Sequence, residues 1–553
     1  MKGKLLLFGA VFLLLAAGCA TVFHAEDELP LREMIAQKLC VDLRYWELEP
    51  GTIDPAQTEP VTYTVKVLND EIAEALNELR PGSVILFAES CQEGKAVREL
   101  TDDIRSLADS NSWPRPLLTV DEEGGRVERL TFGPHFPSAA ALGRMNAEYI
   151  TNIASEIADL TLSAGFDLDF APVCDIDSNP KNPVINTRSF GHDAATVTKG
   201  AAAFIKAFKQ QGLLSCAKHF PGHGDTATDS HTGLPKVEKT LDDLRQLELI
   251  PFKAAIDEGV DCVMTTHIQF PNIEKETLTD LNGKKILRPA TLSKKILKGV
   301  LREELGFEGV IISDDLDMDA ISKNFDWKEA VIEAWIAGVD IAIITKRFQN
   351  KNSLADWNDL INKTIEAVKN GRYPINELKR SCERIAKLKS QDRIYPPKSR
   401  ISYYESIEAF QKIDELAVST LEMKGDTNLL AKIKAYRGPW FKQTFQDAAR
   451  RRHFLLFNDT PFIDEGDNIT LLYNYSPTVP QPDATFQKLL SEAKSRGRKV
   501  IFLSCGFPNA EQFAPDADLI IISRGGMSGL ASVFGKLPQK DIAPSVAKPP
   551  AQK

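Results

Sequence analysis

From about residue 80 to 345 the chain repeats one unit: a short, almost wholly apolar run, a turn, then a longer amphipathic stretch. The runs are Ser83–Ala88, Leu117–Asp121, Asp167–Val173, Leu213–Lys218, Val260–Thr266, Gly309–Ser313 and Asp340–Thr345. Segments this apolar suit strands covered on both faces, as in a parallel sheet wrapped by helices. Between them, Tyr149–Ala164, Ala195–Gln211, Leu241–Glu258 and Leu292–Leu305 have helical periodicity, and several end in Gly as helix caps do. Seven strands at this spacing predict a (β/α)8 TIM-like barrel with one strand degenerate or unrecognised. Polar residues gather just past the runs: Asp121, Asp175, Lys218 with His219, His267, and Asp314 with Asp315. In a parallel barrel those ends share one face, where residues distant in sequence converge.

The polar stretch Lys389–Arg400, with Pro396 and Pro397, breaks the pattern and sets a domain boundary. The expected organisation is a barrel over 30–395, a smaller α/β sandwich-like domain over 396–540, and a disordered tail over 541–553. Strands of the second domain are expected at Phe454–Phe457, Ile469–Tyr473, Lys499–Ser504 and Asp518–Ser523, with a last helix near Leu530–Phe534.

At the start, Lys2 and Lys4 precede an apolar run from Leu5 to Ala17 and then Gly18-Cys19-Ala20, the layout of a signal peptide over 1–20. The run is shorter than the roughly 20 residues a spanning helix needs. Ala16-Ala17-Gly18-Cys19 resembles a lipobox, so Cys19 is the expected lipidation site, with plain cleavage after Ala20 as the alternative. An exported, periplasmic or cell-envelope protein tied to a membrane surface is the expectation. The remaining seven cysteines are widely spaced with no Cys-x-x-Cys pair, so neither a disulfide framework nor a zinc cluster is expected. A formal charge of -10 disfavours binding to nucleic acid, which requires clustered cations, and suits an uncharged sugar.

The densest chemistry begins where the fourth run ends: Lys218-His219-Phe220-Pro221-Gly222-His223-Gly224-Asp225, then Asp229-Ser230-His231. Pro221, Gly222 and Gly224 deny His219, His223 and His231 the helix that a metal-binding His pair requires, so no metal or cofactor is expected. Acid–base chemistry fits better. Asp229 and His231 are two apart, so in extended chain both point the same way and the carboxylate can orient the imidazole. An imidazole can both give and take a proton near neutrality, as a double displacement requires of one residue. Ser313-Asp314-Asp315-Leu316 offers carboxylates for nucleophilic attack, although alternation alone leaves open which Asp faces the mouth. Capping of the following helix is the simpler role for Asp317 or Asp319.

Five ordered motifs together resemble the barrel domain of glycoside hydrolase family 3, in its bacterial β-N-acetylhexosaminidase branch. They are Asp121-x-Glu123-Gly124-Gly125-Arg126, Asn186-x-Arg188-Ser189-Phe190-Gly191, Lys218 to Gly224, Asp229-Ser230-His231 with Pro235, and Ser313 to Leu316. The resemblance implies Asp314 as nucleophile, His231 as acid/base and Asp229 as its partner. It also implies that Asp121, Arg129, Arg188, Lys218 and His219 hold a terminal N-acetylglucosamine. The implied activity is a retaining exo-β-N-acetylhexosaminidase acting on peptidoglycan- or chitin-type oligosaccharides through a glycosyl-Asp intermediate. A β-glucosidase or β-xylosidase of the same fold, or a non-catalytic carbohydrate-binding lipoprotein, are the alternatives, and phosphate in place of water as acceptor stays open. The second domain is expected to pack against or shape the site without supplying chemistry.

Overall fold

A computed structural model of the chain describes residues 28–48, 60–226, 233–390, 399–429, 462–463, 469–474, 484–504 and 514–524. The expected leader with Cys19, the Asp229-Ser230-His231 triplet, Cys505, the strand at 454–457, the helix at 530–534 and the tail at 541–553 lie outside these residues.

Eight strands form the barrel: β1 (Leu39–Asp42), β2 (Ser83–Ile85), β3 (Leu117–Val120), β4 (Leu168–Asp169), β5 (Leu214–Phe220), β6 (Cys262–Thr265), β7 (Val310–Ile312) and β8 (Ala342–Ile344). All neighbours pair in parallel, β1 pairs with both β2 and β8, and an Ile312–Ile341 bridge joins β7 to β8. The strand missing from the apolar pattern is β1. Its four residues sit between Lys38 and Arg44, too short and too closely flanked by charge to stand out.

One layer inside the ring is apolar: Cys40, Ile85, Leu117, Leu168, Leu214, Cys216, Cys262, Val310, Ile312 and Ile343 meet Ile385 and Leu388 of the helix Ile375–Lys389. A second, larger core lies between the strands and the surrounding helices. Side chains alternate along a strand, so the inward register of each strand carries on to its C-terminal end. Leu117 thus leads to Asp121, Cys216 to Lys218, Cys40 to Asp42, and Ile312 to Asp314.

Expected helix Leu241–Glu258 is two helices, Leu241–Gln246 and Leu249–Glu258. Pro251 explains the break, because it has no N–H to donate and its ring excludes a helical carbonyl at Leu247, which leaves the helix with φ −138°. The stretch expected as Leu292–Leu305 is a π-helix confined to Lys295–Glu304, preceded by a separate turn at Ala290–Leu292.

Beyond the barrel, Ile401, Tyr404, Ala409 and Ile413 of two short helices bury into the core around the barrel. A five-stranded sheet follows, ordered β9 (Glu422–Gly425), β13 (Leu519–Ile522), β12 (Lys499–Ser504), β11 (Ile469–Asn474) and β10 (Phe462–Ile463). Its central pairings, β11–β12 and β12–β13, are parallel, while β9 and β10 run antiparallel at the edges.

Candidate active site

Lys218 is the centre of the barrel mouth. Leu214 and Cys216 face the interior, so Lys218 does too, and its side chain is 2% exposed. An ammonium buried that deeply needs anionic partners. It has two: Asp121 Oδ1 at 2.6 Å, just past β3, and Glu123 Oε1 at 2.7 Å. Glu123 also accepts a bidentate pair from Arg188, Nε at 2.8 Å and Nη2 at 2.7 Å, and Arg129 stands 3.9 Å from Asp121. Burial alone would raise the Glu123 carboxyl, but Arg188 and Lys218 hold it well below the usual carboxylate range. Burial lowers the Lys218 ammonium, and Asp121 and Glu123 more than restore it, so the net shift is upward. Glu123, Arg188 and Lys218 are therefore held in their charged forms.

A second anchor adjoins it. Asp175, buried after β4, accepts from His219 Nδ1 at 2.7 Å, from the His219 amide at 3.2 Å and from the His223 amide at 2.6 Å. Burial opposes its ionisation, yet His219 and His223 together keep its carboxyl low. His219 Nε2 lies 3.3 Å from Arg188 Nη2, which ties the two anchors together. Gly222 makes the turn between them with φ +134°, where a Cβ would also sit 2.8 Å from Glu248. The His223 imidazole is pushed down to about 4, first by burial and next, against that, drawn up by Asp175.

On the opposite strands, Asp314 follows the inward Ile312, and its carboxylate Oδ1 accepts from the Asp315 amide at 2.8 Å. Its charge reaches His223 across the mouth. Asp315 is turned away toward β8, accepting from Thr345 Oγ1 at 2.6 Å, and its carbonyl meets His267 Nε2 at 2.9 Å. Burial raises the Asp315 carboxyl to about 6, aided by Asp317 and Asp314 and resisted by Thr345. The two carboxylates thus have different surroundings: Asp314 faces the mouth, whereas Asp315 braces the strand ends. Capping by Asp317 or Asp319 is not what the structure holds. Met318 begins the helix Asp319–Ser322 with no side-chain cap, Asp319 lies inside its first turn, and Asp317 binds Arg347 Nε at 2.7 Å and the Lys346 amide.

The structure brings Asp121, Arg129, Arg188, Lys218 and His219 into one connected network. Sequence reasoning gave no role to the residues that connect them, Glu123 and Asp175, although it quoted the first in a motif and placed the second at a strand end; it missed Asp42, on the unrecognised β1, and Arg44 just beyond it altogether. Glu123 had a signal, since Asp121-x-Glu123 places both carboxylates on one side of an extended stretch. Asp42 accepts from Arg44, whose guanidinium stacks 3.7 Å from the Phe87 ring centroid. Burial outweighs Arg44 and lifts the Asp42 carboxyl to about 7.

Residues 31–388 match the model for the glycosyl hydrolase family 3 N terminal domain. Over 379 residues the chain is 36% identical to a protein named Beta-hexosaminidase A from Pseudoalteromonas piscicida, a match spanning 66% of this chain and 62% of that relative's length. It is 35% identical over 289 residues to a Beta-hexosaminidase from Neisseria meningitidis serogroup C, spanning 51% of this chain and 75% of the relative. The solved family 3 β-N-acetylglucosaminidase from Paenibacillus sp. FPU-7 shares the fold, with TM-score 0.71 and 24% identity over 92% of this chain and 97% of that one. NagZ from Neisseria gonorrhoeae, solved with N-trifluoroacetyl-D-glucosamine, superposes with TM-score 0.50 and 26% identity over 68% of this chain and 95% of that one. With its family model covering most of the chain and its charged network at the mouth of an eight-stranded barrel, this protein belongs to glycoside hydrolase family 3.

Proposed function

We propose that the protein is a retaining exo-β-N-acetylhexosaminidase that removes terminal β-linked N-acetylglucosamine from peptidoglycan- or chitin-type oligosaccharides. The observation that carries this reading is the set of oppositely charged side chains fixed around Lys218 at the barrel mouth, with Asp314 just past the end of β7 on the same rim. Hydroxyl groups of one sugar ring suit such a site, because each charged group has partners already and can exchange hydrogen bonds without losing its charge balance. Relatives named β-hexosaminidase support the choice of sugar.

Asp314 attacks the anomeric carbon as the bond to the leaving oxygen breaks, and His231, oriented by Asp229, supplies a proton to that oxygen. Water then attacks the glycosyl ester, giving its proton to His231 and freeing Asp314 with configuration retained. Asp121, Arg129, Arg188, Lys218 and His219 hold the sugar. A lipid on Cys19 would keep the exported enzyme at a membrane surface.

A mechanism-based fluoro-sugar decides the nucleophile. The expected result is a mass increase on the peptide that contains Asp314, together with loss of turnover of nitrophenyl β-N-acetylglucosaminide in Asp314→Ala. Label on another peptide, or an active Asp314→Ala, refutes the assignment. Faster hydrolysis of nitrophenyl β-glucoside than of the acetylated glycoside would overturn the choice of sugar.

A further inference from the structure

The ion pair between Arg188 and Glu123 joins two loops, one after β3 and one after β4, and something must hold those loops in register. The segment Ser138–Met145 lies against both. On its first side, Phe136 just ahead of it accepts from the Gly125 amide at 3.0 Å, and the Pro137 carbonyl packs so close to Gly124 that a Cβ there would stand 2.8 Å away. On its second side, Gly143 touches the Phe190 backbone, where a Cβ would fall 1.7 Å from the Phe190 carbonyl oxygen. Lys199 ties the same segment down by donating to the carbonyls of Gly143 at 2.8 Å and Met145 at 2.7 Å.

The second sheet grips this segment at both ends. Ser138, buried and capping the short helix Ala139–Leu142, donates its hydroxyl to the Arg524 carbonyl just past β13. Arg144 Nη1 reaches Glu422 Oε2 at 2.7 Å, and Arg524 Nη2 reaches the same oxygen at 2.7 Å. Glu422 and Ile522 are partners across β9 and β13, so both grips come from one edge of the sheet. Arg524 holds its carbonyl in place with φ +54°, a conformation uncommon for a residue with a side chain.

From this geometry we infer that Glu422 and Arg524 are positioning residues: the second sheet clamps Ser138–Met145 and thereby sets the spacing of Glu123 and Arg188 at the sugar-binding face. Neither touches substrate. The inference rests on the proposed sugar-binding role of that face. It makes the second sheet part of the specificity apparatus without giving it any chemistry.

The test uses the full chain with Glu422→Gln, Ser138→Ala and the conservative Glu422→Asp. Hydrogen exchange in peptides spanning 121–145 and 186–191 should accelerate about tenfold in Glu422→Gln and Ser138→Ala, with helix Ala194–Gln211 unchanged, as expected for local loosening. KM for nitrophenyl β-N-acetylglucosaminide should rise about fivefold while kcat stays within about twofold, the pattern of lost ground-state positioning. Glu422→Asp should restore part of both. Unchanged exchange in those peptides, acceleration spread evenly through the barrel helices, or faster exchange with unaltered KM would each overturn the inference. If the parent enzyme itself does not turn over the glycoside, the proposed activity fails, and the exchange comparison still decides whether the clamp exists.

Discussion

Glu123 neutralises two cations at once, so its removal costs more than one ion pair. Glu123→Gln leaves Arg188 and Lys218 facing each other in a buried site, and breaking such a pair typically costs about 3–5 kcal/mol. Urea unfolding should show that loss, whereas Glu123→Gln with parental stability would mean that water reaches the cluster freely. His223 sets a pH limit. Its imidazole is depressed from 6.5 to about 4, so the folded state gains stability in full above pH 6.5 and surrenders it as pH falls toward 4. The loss across that window is on the order of 3 kcal/mol for a shift this size. His223→Gln should flatten the fall in unfolding midpoint between pH 6.5 and 4; an equally steep fall in the variant would assign it to other groups. Of the proposed sugar-binding set, Asp121, Arg188, Lys218 and His219 stand in the quoted motifs and Arg129 in none, and the partners of each were not legible. Arg188 lies 65 residues from Glu123 and Lys218 lies 97 from Asp121, and nothing local in the sequence reports a pairing at that range.

At the level of elements, burial alone does not make a strand legible. β3, β5, β6, β7 and β8 have both faces covered and read as apolar runs, whereas β1, just as buried, is hidden by Asp42 within it and Lys38 and Arg44 around it, and the edge strand β9 (Glu-Met-Lys-Gly) is charged and only partly covered. The run expected at Asp167–Val173 is a regular strand only over Leu168–Asp169, is interrupted where Pro172 has no amide to give a ladder, and rejoins β5 through a Val173–Lys218 bridge. The turn after β5 depends on Gly224, where a Cβ would lie 1.6 Å from the Ile176 carbonyl oxygen, so the chain itself must shift to admit one. Gly224→Ala should therefore destabilise the barrel by about 1–3 kcal/mol, the usual range for overpacking, and separate His223 from Asp175. A melting temperature equal to the parent's would show that the two loops part easily.

On the scale of the whole molecule, the boundary marked by Pro396 and Pro397 is not where the packing ends. Ile401, Tyr404, Ala409 and Ile413 bury beyond it, so a chain ending at residue 400 should expose the barrel's flank and aggregate, while one ending at 420 should stay in solution. Gel filtration of the two separates these outcomes, and equal solubility would mean that the flank is dispensable. The pairing of β1 with β8 carries a last consequence, one of timing. During synthesis β1 emerges about 300 residues before its second neighbour, which at 5–20 residues per second amounts to roughly 15–60 s on the ribosome. Until β8 arrives the ring is an open sheet with two unpaired margins, and Asp42 has no neighbour at 315. The rim that carries the site is therefore incomplete in the nascent chain until its circle of strands is joined.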